Sequence, residues 1–327
     1  MLARHLARSD RQHRGTLLEP MRVLAHIHTM NDAAVIEQLL DALRRQTRPP
    51  DAIVLVDNAS TDGTLDRALS EAVTVVRNPK NLGTSGAIRI GFAHGLEHGF
   101  DWTWIFDADS VPEPDTLEKL LTFFERLPPA KREQVCFLAG LALTAAREVK
   151  EPPISLEGGR MKRLPVVSVE EFTQCDCSLW SGSLFRMAAV ARIGLPSADY
   201  MLDVAEVEYG YRARQLGFTS YIVHNGVIHH DVGRTPRASR PLYRFGPSSL
   251  VSYEFPPARC YYCARNWIYF WLHQCTTCSM TRALRAVAKT LAFTMGFAVR
   301  PISYRRQLIA CLRGIRDGLT MHMERRY

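Results

Sequence analysis

The 327 residues contain no run of about 18 consecutive apolar residues, and the longest candidate, 290–299, is too short to span a bilayer as a helix. The first 20 residues, MLARHLARSDRQHRGTLLEP, carry arginines and histidines without the apolar core of a secretory signal. They read as a disordered extension, with Met21 as a candidate functional start. No internal repeat or low-complexity block is present. Without a signal, the eight cysteines imply reduced thiols in a cytoplasmic setting rather than a disulfide framework. Acid is scarce in one region. Between 282 and 326, ten Lys or Arg face only Asp317 and Glu324, an excess equal to the formal +8 of the whole chain.

What is present describes an ordinary globular chain. Hydrophobic residues make up 46%, enough for one large core or two moderate ones. The basic tail also carries Leu284, Val287, Leu291, Phe293, Leu308, Ile309, Leu312 and Ile315 at helical spacing. Such a tail can lie on an anionic bilayer, or it can be a terminal helical pair packed on the body with its arginines in solvent. Nucleic acid is not indicated, because no recognised binding motif accompanies the charge.

Through about residue 130, short apolar runs alternate with helical patterns. RVLAHIHTM, AIVLVDN, VTVVRNP and WTWIFDAD read as strands. Between them AAVIEQLLDALRRQT, a helix reaching about Leu69 after the turn ASTDGT, and TSGAIRIGFAHGLEHG read as helices. This alternation predicts βαβ units, a parallel sheet with helices on both faces, and a ligand site beyond the carboxyl ends of the strands. Three strand ends carry polar residues able to converge there: Thr29 and Asn31, Asp57 and Asn58, and Asp107 and Asp109. Further on, CFLAGLAL reads as a strand and the Pro, Gly and Lys rich stretch 148–164 as a mobile loop and candidate lid. LWSGSLFRMAAVARIG reads as a short strand or turn entering a helix, DVAEVEYGYRARQLG as a helix, and TSYIVHNGVIHHDVG as a strand ending in a histidine pair.

The motifs IVLVDNASTDGT, NPKNLGTSG, IFDADSVPEPDTLEKL, LWSGSLFR, DVAEVEYGYRARQLGF and IHHDVG, in this order over roughly 21–235, resemble the inverting glycosyltransferases of family 2. The rhamnosyl- and galactofuranosyltransferase branch of bacterial cell-envelope polysaccharide synthesis is the most similar, and PPARCYYCARNWIYF is similar to its Tyr-Tyr and Arg-Asn element. The resemblance implies an α/β fold of GT-A type: a Rossmann-like, mostly parallel sheet with helices on both faces and a C-terminal helical extension. The implied organisation is a GT-A domain over 21–240, its nucleotide-binding half at about 21–130 and its acceptor half at about 131–240, then a basic helical region over 241–327.

The implied reaction breaks the bond between a donor's anomeric carbon and a diphosphate, so charge grows on the leaving group and a divalent cation with oxygen ligands, Mn²⁺ or Mg²⁺, suits it. Paired aspartates at a strand end then become favourable, although the same pair can simply cap a turn. By resemblance Asp109 coordinates the metal, Asp107 reaches the ribose or a metal-bound water, and His230 is a further ligand. His229 competes, since strand alternation lets only one of the two face the site. The general base falls on Glu206, with Asp203 and Glu208 as alternatives; relatives often carry aspartate there, and Glu208 also has the spacing for a helical ion pair with Arg212. Donor recognition falls to Thr29, Asn31, Asp57 and Asn58, with Gly83 and Gly86 allowing close backbone approach and Arg89, where the family often has asparagine, near the diphosphate. Trp180, with Ser181 and Gly182, falls on the acceptor side as a wall for a sugar ring; core packing is its other role.

Cys260, Cys263, Cys275 and Cys278 form two Cys-x-x-Cys pairs, spaced for structural zinc. The pairs lack the Gly or Pro of a zinc knuckle, and thiols packed in a helical hairpin are the favoured reading. The expectation is a metal-dependent enzyme moving a sugar from a UDP- or dTDP-sugar, for example rhamnose or galactofuranose, to a glycan or lipid-linked acceptor at the inner face of the cell membrane. The alternatives are a nucleotidyltransferase, although HTMNDAAV lacks the Gly-rich basic loop such an enzyme needs, and a noncatalytic binder of sugar nucleotides or glycans.

Overall fold

The computed structural model describes residues 21–68, 73–144, 147–167, 169–230, 256–298 and 304–323. The expected N-terminal extension, the DVG end of IHHDVG and the last residues of the tail lie outside this set.

The chain first runs β1 (Val23–Thr29), α1 (Ile36–Arg44), β2 (Ala52–Asp57), α2 (Thr64–Ala68), β3 (Thr74–Arg77), α3 (Gly83–Glu97) and β4 (Trp102–Asp107). It continues with β5 (Ser110–Pro112), α4 (Thr116–Arg126), α5 (Pro129–Glu133), β6 (Val135–Leu143), β7 (Ile154–Ser155), β8 (Lys162–Arg163), β9 (Phe172–Cys175) and β10 (Ser183–Arg186). Last come α6 (Met187–Ile193), α7 (Ala205–Gln215), β11 (Thr219–His230), α8 (Pro257–Tyr269), α9 (Met280–Ala298) and α10 (Arg305–Leu319).

β1 is buried at all seven positions, the mark of a strand covered on both faces. Helix α1 turns Ile36, Leu39, Leu40 and Leu43 inward, the i, i+3, i+4, i+7 spacing of a helix lying on a sheet. The main sheet runs β3-β2-β1-β4-β10-β6-β11-β5, with β9 also on β11. β1 through β4 pair in parallel as expected. The rest is mixed, because β10 is antiparallel to both neighbours while β11 is parallel to β6 and antiparallel to β5 and β9. Alternate residues serve opposite cores: Ile105, Phe137 and Phe185 on one face, Trp104, Phe106, Leu138 and Leu184 on the other.

Two expectations change. The stretch 148–164 is a short hairpin of β7 and β8, not an unstructured loop. Ile154 exchanges backbone hydrogen bonds with Cys177 and Asp176, and the Asp176 carboxylate accepts from the Leu156 amide at 2.6 Å, so this segment is docked on the body. Among the described residues the two cysteine pairs do not gather into one cluster. Cys260 and Cys263 are buried on α8, where the Cys260 thiol bonds with Cys311 of α10, while Cys275 and Cys278 lie in the turn before α9; no disulfide joins them.

Candidate active site

The carboxyl ends of β1, β2 and β4 lie side by side because those strands pair in parallel, Thr29 with Asp57 and His28 with Asp107. β11 returns antiparallel to β5 with His230 opposite Ser110, which carries His230 to the turn holding Asp109. Asp107, Asp109 and His230 thus offer ligand atoms that all lie within 4.8 Å of one another. His230 Nδ1 is 3.6 Å from Asp109 Oδ1, and Nε2 is 4.0 Å from Asp107 Oδ2. His229 points the other way and pairs with Glu113 at 3.2 Å, so alternation chooses between the histidines as expected.

This donor set fits a divalent cation. Burial pushes the Asp109 carboxyl up, with Asp107 and Asp32 adding repulsion against the pull of His230. Burial acts the same way on Asp107, but His28 overrides it and holds that carboxyl below its ordinary value. Two carboxylates and an imidazole suit Mn²⁺, which accepts oxygen and nitrogen ligands.

Sequence reasoning missed His28. Its Nε2 donates to Asp107 Oδ1 at 2.6 Å, its ring stacks on His26 at 5.7 Å, and its Nδ1 is buried without a partner among the described residues. The available signal was a second polar residue in an otherwise apolar strand. Ser181, expected on the acceptor side, instead joins this network: its hydroxyl accepts from the Asp107 amide at 2.9 Å and donates to Ser110 Oγ at 2.7 Å, and Ser110 in turn contacts His230 Nδ1.

The three candidate bases separate cleanly. Glu208 is buried and ion-paired to Arg212, the helical pair its spacing predicted. Asp203 receives both Nη2 (2.9 Å) and Nε (3.3 Å) of Arg259 from α8. Glu206, in the first turn of α7, has no such partner among the described residues, and burial raises its carboxyl to about 7, with Asp203, Glu151 and Asp107 adding repulsion. The influence of Asp107 puts Glu206 within electrostatic reach of the metal-ligand cluster.

The segment before Glu206 is strained. Asp203 and the β-branched Val204 both have positive φ, 55° and 69°. Besides the Arg259 pair, Asn266 Nδ2 donates to the carbonyls of Leu202 (2.6 Å) and Asp203 (3.2 Å), and buried Arg265 donates to that of Asp199. Helix α8 therefore clamps the loop that presents Glu206.

Other expected residues are engaged locally. Thr29 bonds Asp32 at 2.8 Å, Asn31 accepts from the Thr61 amide at 2.8 Å, and buried Asp57 accepts from the Ser60 amide at 3.1 Å. Asn58 accepts from Asn78 and from the Leu82 amide, tying β2 to the start of α3. These bonds shape the rim of the cleft, so turn formation is carried by Asp57 and Asn31 as well as by their neighbours. Gly83 has φ 72°, and a Cβ there would meet the Met201 carbonyl at 2.3 Å, so chain packing alone demands glycine. Gly86 is buried within α3. Arg89 is exposed and its Nη1 donates to the Pro196 carbonyl at 3.2 Å. Trp180 is 3% exposed and edge-on to Phe185 and Tyr209 within the core cluster, so its surroundings fit the core-packing role rather than a wall for a sugar ring. Gly182, with φ 82°, uses its carbonyl to accept from Trp104 Nε1 at 3.0 Å.

The model of Glycosyl transferase family 2 matches residues 25–131, the span from β1 into α5. Galactofuranosyltransferase GlfT1 of Mycobacterium tuberculosis is 30% identical over 207 residues, covering 60% of this chain and 65% of that protein. The chain thus spans just under two thirds of that relative's length. S. aureus TarS, solved with UDP, superposes with a TM-score of 0.56 at 13% identity over 93% of this chain and 82% of that one. The mannosyltransferase PcManGT of Pyrobaculum calidifontis, in complex with GDP-Man and Mn²⁺, gives 0.53 at 16% identity over 97% and 94%. Residues 25–131 thus match the family 2 glycosyltransferase model, and the chain shares the GT-A fold of these solved structures.

Proposed function

We propose that the protein is a metal-dependent inverting glycosyltransferase that moves a sugar from a nucleoside diphosphate donor to a hydroxyl of a glycan or lipid-linked acceptor. The observation that carries this reading is the gathering of Asp107, Asp109 and His230 at the strand ends, with Glu206 in electrostatic reach. Similarity to a galactofuranosyltransferase and to structures solved with UDP and with GDP-Man supports a nucleotide-sugar donor, for which UDP- or dTDP-linked rhamnose or galactofuranose are the first candidates.

On this reading Asp109, His230 and Asp107 hold Mn²⁺ or Mg²⁺, which when bound supplies positive charge to the departing diphosphate. Glu206 takes the proton of the acceptor hydroxyl as that oxygen bonds to the anomeric carbon. The carbon–oxygen bond to the diphosphate breaks on the opposite face, its electron pair leaves with the phosphate, and the configuration inverts. Thr29, Asn31, Asp57 and Asn58 line the donor side, and Ser181 supports Asp107 through its hydroxyl. On the same reading the enzyme works as a peripheral protein at the inner face of the cell membrane.

The test is a screen of UDP-, dTDP- and GDP-sugars with Mn²⁺, reading released nucleoside diphosphate in the presence of glycan and lipid-linked acceptors. Turnover is expected with at least one donor, and Glu206→Gln should lower kcat on the order of 10²- to 10⁴-fold while donor binding persists. Binding without turnover for any donor and metal, including one that Asp109→Ala leaves unaltered, would mean a noncatalytic binder.

A further inference from the structure

We infer that the exposed face of α9, continued by α10, is a docking surface for an anionic lipid bilayer, with α9 lying in the interfacial plane. Met280, Leu284, Leu291 and Met295 are 70, 56, 43 and 59% exposed. At about 100° per residue they fall within roughly 60° of arc, one continuous apolar stripe along the helix. Ala283 and Thr294 are buried and Val287 partly so on the flank of α9 that adjoins this stripe, which seats the helix on the body and leaves the stripe itself turned outward.

The charge beside it has one sign. Arg285 and Lys289 are exposed further round the same helix. On α10, exposed Ile309 and Leu312 are interleaved with exposed Arg305, Arg306, Arg313 and Arg316. The sole acid between 280 and 323 is Asp317, buried at 1% exposure and held by Tyr261 (2.8 Å) and Arg316 (2.8 Å). An apolar stripe edged by Lys and Arg and free of surface carboxylates matches acyl chains beneath anionic headgroups. Nucleic acid has no use for exposed Leu and Met. A second copy docking face to face would set these arginines against each other. No described helix is long and apolar enough to cross a membrane, so the contact is one of surface insertion.

The experiment uses the full chain without donor or metal, so its outcome is separate from that of the catalytic reading. Co-sedimentation is measured with vesicles of phosphatidylcholine alone and of phosphatidylcholine mixed with phosphatidylglycerol. Binding is expected to the anionic vesicles and to weaken with salt. Leu284→Glu with Leu291→Glu should lower the partition constant by about tenfold or more, and Arg285→Gln with Lys289→Gln by on the order of tenfold at low salt. Because all four residues are exposed, circular dichroism and Tm should stay at wild-type values, which separates lost docking from lost folding. The inference is overturned by failure to bind anionic vesicles, by binding that folded variants retain in full, or by a dimer in solution that Leu284→Glu with Leu291→Glu dissociates.

Discussion

His28 holds one oxygen of Asp107 and leaves the other toward His230. Stacking on His26 fixes the plane of the imidazole and with it the orientation of the carboxylate. Residues that orient a ligating carboxylate typically control metal affinity by 10- to 100-fold. His28→Ala is therefore expected to weaken Mn²⁺ binding by about that factor in titration calorimetry, with His28→Gln recovering part of it. Unchanged affinity in a folded His28→Ala protein would remove the assignment. Glu206 is governed by burial instead. A carboxyl raised to about 7 is mostly protonated below that pH and cannot accept a proton there. The sign follows: kcat/KM should climb about tenfold per pH unit on the acid side and level off above about 7. Glu206→Asp should move that inflection if this group is the one titrating. A profile flat from about pH 5.5 to 8 would exclude Glu206 as the base.

Among the elements, α8 carries the least obvious duty. Left-handed φ at Asp203 and Val204 costs of order 1–3 kcal/mol for each residue and persists only where neighbours over-determine it. Arg259 and Asn266 supply that determination from about 60 residues away in sequence. Asn266→Ala should relax the loop, lowering kcat by about tenfold while the donor KM stays near its wild-type value, and Arg259→Lys should fail to restore what Arg259→Ala loses, since lysine cannot make the paired contact. Steady-state kinetics with the two variables separated checks this; a fall in donor affinity alone would contradict it. The first four strands were legible because their apolar runs and intervening helices are local patterns. The antiparallel insertion of β10 was not, because a four-residue strand carries no mark of its partner's direction. The β7–β8 hairpin was hidden for a similar reason: its Pro and Gly content reads as loop, while its backbone bonds go to 176–177.

At the scale of the molecule, the two cores flanking the sheet meet a third, formed by α8 and α10 with Met201. That third core links the loop bearing Glu206 to the helices whose outer faces are apolar and basic. A bilayer engaged by α9 and α10 thus lies on the same structural unit that clamps the proposed base, which suits an acceptor delivered from a membrane. The sequence by itself determined the α/β class, the strand-end position of Asp107 and Asp109, the opposite facing of His229 and His230 and the basic amphipathic tail, because each follows from periodicity or composition within a short window. Only the tertiary structure decided that His28 serves Asp107, that Trp180 is core and that Arg259 takes Asp203 out of contention while Glu206 stays available. Those assignments depend on partners brought together from distant parts of the chain, and the path that joins them is set by the packing of the whole sheet rather than by any local preference.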